Sequence, residues 1–337
     1  MTMRPVSRAR TFSRILLLHW GRMSDVVFAL PACAALRERF PEARITAFAT
    51  SWGGELLALS GAVSDIWLIR SERPAEWLLP WNMWEVLHAV REFRRRRYEL
   101  AVDFRPSRET ILLALAARVP VRLAALSPEG LAGAFFNVWR RPDDPQRHRA
   151  DRYLDALRAL DITPTARVPA LRTDPATDER FERWLRARGV ETGELLVGIA
   201  PEADPGAAMW PLERFLDLTH RLVQHFRIRP IDVGRSAWGR ARAPRGILSW
   251  RARSLRELAS ALARCTLVVS GDGGPGHLAA ALGVPTLMLG CARTRRPLGE
   301  EHRFVEREAL AACSTERVFE IASEMLGRSR TAALFRS

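Results

Sequence analysis

Between Val269 and Leu278 the chain reads Ser270, Gly271, Asp272, Gly273, Gly274, Pro275, Gly276, His277. The glycines let bare backbone approach a ligand. Asp272 and His277 bring a carboxylate and an imidazole to the same short run. Pro275 suits the opening turn of a helix, where its missing N–H would have no partner anyway. Apolar runs at 266–269 and 286–289 predict buried strands on either side, with a helix over 276–282 closed by Gly283. Strand, glycine loop, helix, strand is a βαβ unit. Its loop stands where N–H groups and the positive end of the helix dipole can hold a phosphate. A tight turn that needs glycine for packing alone fits the same residues.

The elements that must position this loop are bounded by length and composition. The chain has 337 residues, enough for two domains of ordinary size, and is 47% hydrophobic, which excludes a disordered chain. No apolar run approaches the ~20 residues needed to span a bilayer. The basic opening segment leads into a strand-length run at Ile15 and then Asp25, which does not read as a signal peptide. Cys33, Cys265, Cys291 and Cys313 lack CxxC spacing and read as reduced thiols in a cytoplasmic protein. Net charge is +14, and all 52 basic residues are arginine. Arginine favours phosphates and anionic lipid, since its planar fork holds two oxygens at once. No helix-turn-helix, zinc-finger or RNA-binding signature is present, so nucleic acid is not an expected partner.

Strands are predicted at 15–19, 43–49, 66–69, 100–104 and 121–125. Helices alternate with them at 25–40 (Ser24 as its cap, Pro31 a local irregularity), 52–60, from Pro80 to Arg97, 109–117 and 148–160. Trp77, Trp81, Trp84 and Leu87 share one helix side, followed by Arg94–Arg97. A buried helix gives the same stripe as a membrane-facing one. Residues 161–178 hold three prolines and little periodicity and read as a linker. The alternation then resumes with helix 178–189, strand 195–200, helix 211–226, strand 228–233, an arginine-rich turn, helix 254–264, the βαβ unit and a last helix at 315–326. The expectation is therefore an α/β chain with two similar halves of parallel sheet, 1–165 and 175–315, and a C-terminal helix and tail at 316–337. Two such halves leave a cleft between them, a favoured ligand site.

With these residues placed, the chain resembles glycosyltransferase family 9, the heptosyltransferases of the lipopolysaccharide inner core. ILLLHWGRMSDVVFALPACAALRERFPEARITAFAT is similar to the family's opening strand, Gly-Asp loop and helix. RRRRYELAVDFRPSRETILLAL resembles its R-Y-D-L-V-I-D-L-Q strand and following helix, and HRADRYLDALRAL the end of its first domain. MWPLERFLDL resembles K-x-W-P-x-E-x-F, and SGDGGPGHLAAALGVP resembles D-T-G-P-M-H-L-A-A-A-L-G-x-P, the most specific match. The resemblance covers nearly the whole length and implies the GT-B architecture, two Rossmann-like domains with parallel sheets facing across a cleft. The acceptor would sit on the first domain and a nucleotide-sugar donor, usually ADP-heptose, on the second. It also implies metal-independent transfer with inversion at the sugar carbon, with no cofactor. Asp25 stands at the family's catalytic aspartate, projecting from a loop, although a helix-capping carboxylate fits the same position. Asp272 stands at the donor-sugar contact, where an Asx-turn is the alternative. Gly273, Gly274, Pro275 and Gly276 would cradle the diphosphate with their N–H groups, and His277 would face the same place or simply pack. The lipid-linked acceptor implies peripheral contact with the inner leaflet, through the Trp77–Trp81–Trp84 face and Arg94–Arg97.

Three departures matter. Ser24 replaces the usual Gly before the base, Ala208 replaces the lysine two residues before Trp210, and Gly273 replaces a threonine. Arg293, Arg295, Arg296 or Arg214 can supply the missing phosphate charge. A low-activity or non-catalytic nucleotide-sugar-binding protein is the alternative. A nucleotide-sugar epimerase would need further carboxylates, for which Glu202 and Asp204 are the loop candidates.

Overall fold

Runs rich in Ile, Val, Leu and Ala form strands buried on both faces, the signature of parallel sheet covered by helices on each side. The computed structural model describes residues 10–19, 21–70, 76, 80–126, 144–164, 166–191, 193–234 and 246–334. The chain divides into two units, Met1–Pro169 and Ala170–Ser337.

Unit 1 runs β1 (Arg14–His19), α1 (Met23–Arg39), β2 (Arg44–Thr50), α2 (Ser51–Ser60), β3 (Asp65–Ile69), α3 (Pro80–Arg96), β4 (Leu100–Asp103), α4 (Arg108–Ala116), β5 (Val121–Ala124) and α5 (Arg149–Leu157). Its five strands are ordered β3-β2-β1-β4-β5, all parallel. Helices α1, α2 and α5 pack together, as do α3 and α4. Leu16, Leu18 and Phe48 meet Ala89 and Phe93 of α3 in one core. The order reverses direction between β1 and β4, so the chain leaves these two neighbours toward opposite faces. In open α/β sheets that switch point, at the carboxyl ends of the strands, is where ligands bind.

Unit 2 runs α6 (Pro175–Arg186), β6 (Leu195–Ala200), α7 (Leu212–His225), β7 (Ile228–Asp232), β8 (Leu248–Ser249), α8 (Leu255–Ala263), β9 (Leu267–Gly271), α9 (Gly274–Ala281), β10 (Thr286–Cys291), β11 (Arg303–Glu306) and α10 (Thr315–Leu334). The order is β11-β10-β9-β6-β7-β8, again parallel, with its switch point between β6 and β9. The core joins Val197, Ile199, Val269 and Leu289 to Phe215 and Leu218 of α7 and to Val318 and Ala322 of α10. The C-terminal helix is thus part of unit 2's core.

Local signals explain the helix ends. Ser107 and Thr110 form a reciprocal capping box before α4. Asp174 accepts from the Thr177 N–H, with Pro175 in the first turn of α6, so that helix starts three residues before the expected 178. Ser254 caps α8. Ser24 does not cap α1: the N-cap is Arg22, and Ser24 lies buried within the helix. Ser24, Asp25 and Val26 of that first turn are buried. The helix also continues unbroken through Pro31. Strands β8 and β11 fall where no strand was expected, since both are short, mixed-polarity edges. Trp77 and the side chain of Trp81 lie outside the described residues. Trp84 is 80% exposed and Leu87 is 51% exposed, so this part of the stripe is surface and not core.

Candidate active site

In unit 1 the polar residues collect at the switch point. His19 ends β1, Asp103 ends β4, and Asp25 sits in the first turn of α1, not on the preceding loop. Asp25 is only 4% exposed. Its Oδ2 accepts from Arg105 Nη1 at 2.9 Å, an ion pair that orients the carboxylate. Gly21 lies so close that a Cβ there would stand 3.1 Å from the Asp25 Cβ and 3.3 Å from Oδ2. A side chain at Gly21 would have to push the carboxylate aside.

The surroundings are costly to fold. His19 approaches the Asp25 carbonyl at 3.3 Å through Nε2, while its Nδ1 is buried with no partner. Burial pushes His19 down to about 4, against the attraction of Asp25, so it is neutral at pH 7. Asp103 accepts the Arg105 N–H on Oδ1 at 3.0 Å, while Oδ2 has no partner. Burial raises Asp103 to about 7, with Thr110 and the Arg105 N–H pulling the other way. The Tyr153 hydroxyl is also buried and unpartnered, and burial with the Asp25 charge holds its acidity well below normal. Each orphaned polar atom costs ~1–3 kcal/mol. Three of them around one oriented carboxylate mark a site rather than a packing core.

In unit 2 the glycine loop occupies the corresponding switch point, after β9. Asp272 is buried and accepts a hydrogen bond from His277 Nε2 at 3.1 Å. No Asx-turn is needed to account for its place. Burial alone would raise Asp272, but the His277 hydrogen bond and the charges of His277, Arg295 and Arg307 outweigh it. The carboxyl is held below its ordinary value and stays ionised. The loop after β6 locks against this turn: the Asp204 N–H donates to the Asp272 carbonyl at 2.7 Å. A Cβ on Gly271 or on Gly273 would each stand 2.7 Å from the Glu202 carbonyl oxygen. Those two glycines therefore serve packing.

The phosphate expectation needs one correction. The Gly273 N–H donates to the Gly271 carbonyl at 2.8 Å, closing the turn, and Pro275 has no N–H. The first-turn amides left facing out of α9 by helix geometry are those of Gly274 and Gly276. A Cβ at Gly276 would meet Ser270 Oγ at 2.6 Å, so the helix packs tightly on β9.

Of the four candidate cations, Arg295 is nearest the loop. It reaches Asp204 Oδ2 at 3.1 Å with its side chain 18% exposed, and it lowers Asp272. Arg293 pairs with Glu306 on the surface, and Arg296 lies over the Phe304 ring. Arg214 donates to the Cys313 carbonyl at 2.9 Å beside Trp210 Nε1 at 3.1 Å, which ties α7 to the segment before α10. Ala208 is partly buried on the unit 2 core, and its carbonyl stands 2.9 Å from a Cβ built on Gly290. Arg105, His19, Asp103 and Tyr153 escaped sequence reasoning. The visible signal for two of them was a polar residue closing an apolar strand. All four cysteines are buried, and burial pushes Cys33, Cys265 and Cys291 up to about 12, so they are poor nucleophiles. Among the described residues no group of three or more His, Cys, Asp or Glu side chains could hold a metal ion.

A profile of glycosyltransferase family 9 (heptosyltransferase) matches residues 86–296. No curated protein matches the sequence. Among solved structures, a family 9 glycosyltransferase from Veillonella parvula shares 18% identity, covering 94% of this chain and 98% of its own, with a TM-score of 0.81. The Escherichia coli ADP-heptose lipopolysaccharide heptosyltransferase II shares 20% identity over 94% and 99%, with a TM-score of 0.76. The E. coli heptosyltransferase WaaC, solved with ADP-2-deoxy-2-fluoro heptose, shares 20% over 92% and 99%, with a TM-score of 0.69. At these identities the likeness is one of fold, the GT-B fold.

Proposed function

Because the chain belongs to glycosyltransferase family 9, we propose that it transfers a heptose or related sugar from a nucleotide-sugar donor, ADP-heptose-like, to a lipid-linked sugar acceptor such as the lipopolysaccharide core. The observation that carries this reading is the Asp25 carboxylate, buried at the switch point and held on one oxygen by Arg105. Asp25 takes the proton from the acceptor hydroxyl. The hydroxyl oxygen attacks the sugar carbon on the face opposite the diphosphate. The carbon–oxygen bond to the diphosphate breaks, and the leaving group departs with the electron pair, which inverts the centre. Proton removal by a positioned base is worth typically 10²–10⁴-fold.

Unit 2 holds the donor in this scheme. The Gly274 and Gly276 amides meet the diphosphate, and Asp272, fixed by His277, accepts from a sugar hydroxyl. Arg295 takes over the charge that the absent lysine at Ala208 would have carried, so no metal is required. The protein works on the cytoplasmic side, touching the inner leaflet through Trp84, Leu87 and Arg91. Arg94, Arg95 and Arg96 contribute less than the sequence suggests, because Arg94 donates to the Ala116 carbonyl and the other two pair with Glu92.

Asp25→Asn tests the reading. The isosteric amide keeps the fold and donor binding but cannot take the proton, so transfer should fall by two or more orders of magnitude. Wild-type-like turnover would remove Asp25 from the mechanism.

A further inference from the structure

The carboxyl ends of the unit 1 strands carry the transfer site. Their amino ends carry a second set of polar groups with no part in it. Arg14 opens β1 and Arg44 opens β2, and the two are direct partners in the sheet register. Thr46 lies two residues along β2 from Arg44, on the same face. Tyr98 precedes β4 and packs its ring edge-on against Phe93 at 5.5 Å. Arg95 and Arg96 close α3. Together these six residues line a cavity of about 410 Å³.

Two features of this cavity call for a ligand. Thr46 and Tyr98 are almost completely buried, and neither hydroxyl has a hydrogen-bond partner of acceptable geometry. They stand close enough to each other, and to Asp65 and Arg96, to bias titration. Buried hydroxyls facing a polar cavity are satisfied by something that occupies it. The second feature is charge. Asp65 takes Arg44 and lies 3.9 Å from Arg96, Glu92 takes Arg95 and Arg96, and Glu99 holds the Arg14 backbone N–H. Four guanidinium groups therefore stand beside three carboxylates, and Asp65 and Glu92 hold the forks of Arg44, Arg95 and Arg96. Arg14 Nη1 is steadied by the Arg96 carbonyl at 2.7 Å. Burial keeps Tyr98 less acidic than normal, so it remains a hydroxyl donor. Two hydroxyl donors beneath oriented guanidinium groups match the acceptor oxygens of a phosphate group.

We infer that the amino end of the unit 1 sheet is a second anion site, taking a phosphate monoester on Tyr98 and Thr46 with Arg14, Arg44 and Arg96 around it. The site is separate from the glycine loop of unit 2. The same strands, β1 and β4, run from it to His19 and Asp103.

Thermal shift and calorimetry with inorganic phosphate, at constant ionic strength, test the inference. Three proteins are compared: wild type, Thr46→Val with Tyr98→Phe, and Gly274→Val. The double variant conserves shape and removes two unsatisfied hydroxyls, so without phosphate it should melt at or above the wild-type temperature. Phosphate should raise the Tm of wild type and of Gly274→Val alike, and should bind the double variant at least tenfold more weakly. A parallel arm uses phosphatidylcholine vesicles with and without phosphatidic acid. Loss of vesicle binding in the double variant, with no response to soluble phosphate in wild type, would assign the phosphate to a lipid headgroup. An unaltered phosphate response in the double variant, a response abolished by Gly274→Val, or no phosphate dependence in either arm would overturn the site.

Discussion

Asp103→Asn should make unit 1 stability rise with pH between about 4 and 6.5, where the wild type is nearly level. Asp103 is fully covered, and burial moves it from 3.8 to about 7. Between those values the folded protein holds a proton that the unfolded chain has released. Its contribution is therefore complete below pH 3.8 and is lost as pH climbs through about 7. The gap corresponds to roughly 4 kcal/mol, at about 1.4 kcal/mol per pH unit. His19 works the other way. Burial lowers it from 6.5 to about 4, so its contribution is present above pH 6.5 and is lost as pH falls through about 4, for roughly 3 kcal/mol. In wild type the two slopes oppose each other between pH 4 and 6.5. The asparagine keeps an oxygen for the Arg105 N–H and places its amide where Oδ2 has no partner. The variant should gain on wild type by about 1.4 kcal/mol per pH unit as pH rises toward 7. On acidification it should lose stability through His19 alone. Native-state hydrogen exchange of peptides spanning β1 and β4, corrected for intrinsic exchange, reads the opening free energy of this unit. A variant-minus-wild-type difference that stays flat from pH 4.5 to 7.5 would refute the buried, protonated Asp103.

Gly273→Ala should destabilise unit 2 by ~1–3 kcal/mol in urea unfolding, because its Cβ would press on the Glu202 carbonyl while the backbone is already extended. Gly274→Val should weaken nucleotide-sugar binding in calorimetry by blocking backbone approach; unchanged affinity with the fold intact would end the phosphate role of α9. Trp84→Ala should change stability by no more than ~0.5 kcal/mol, since the ring is 80% exposed. It should nevertheless reduce flotation with anionic liposomes. Equal flotation of variant and wild type would exclude Trp84 from the membrane contact.

The alternation of strand and helix is legible in the sequence because apolar runs and capping residues act locally. Gly61 at φ 67 after α2 and Ser254 before α8 sit where the punctuation suggests. Asp25, Asp272 and His277 are legible as chemistry through motif resemblance. Their partners are not, because those come from folding. Arg105 meets Asp25 from the end of β4, and Asp204 meets Arg295 from the loop after β6. The closeness of Gly271 and Gly273 to the Glu202 carbonyl is also tertiary in origin. Edge strands β8 and β11 carry too little apolar pattern to announce themselves.

The meeting of the Glu202 carbonyl with Gly271 and Gly273, and of the Asp204 N–H with the Asp272 carbonyl, has a bearing on how this transferase can be diversified. Two stretches far apart in the chain fit each other main chain to main chain, with no room for a methyl group. Shuffling the post-β6 loop between homologues without its counterpart after β9 would mismatch that seam even where every side chain is tolerated. Libraries aimed at donor preference should carry residues 201–204 and 271–273 as one inherited block. Randomisation is better placed at side chains that border the block without forming it.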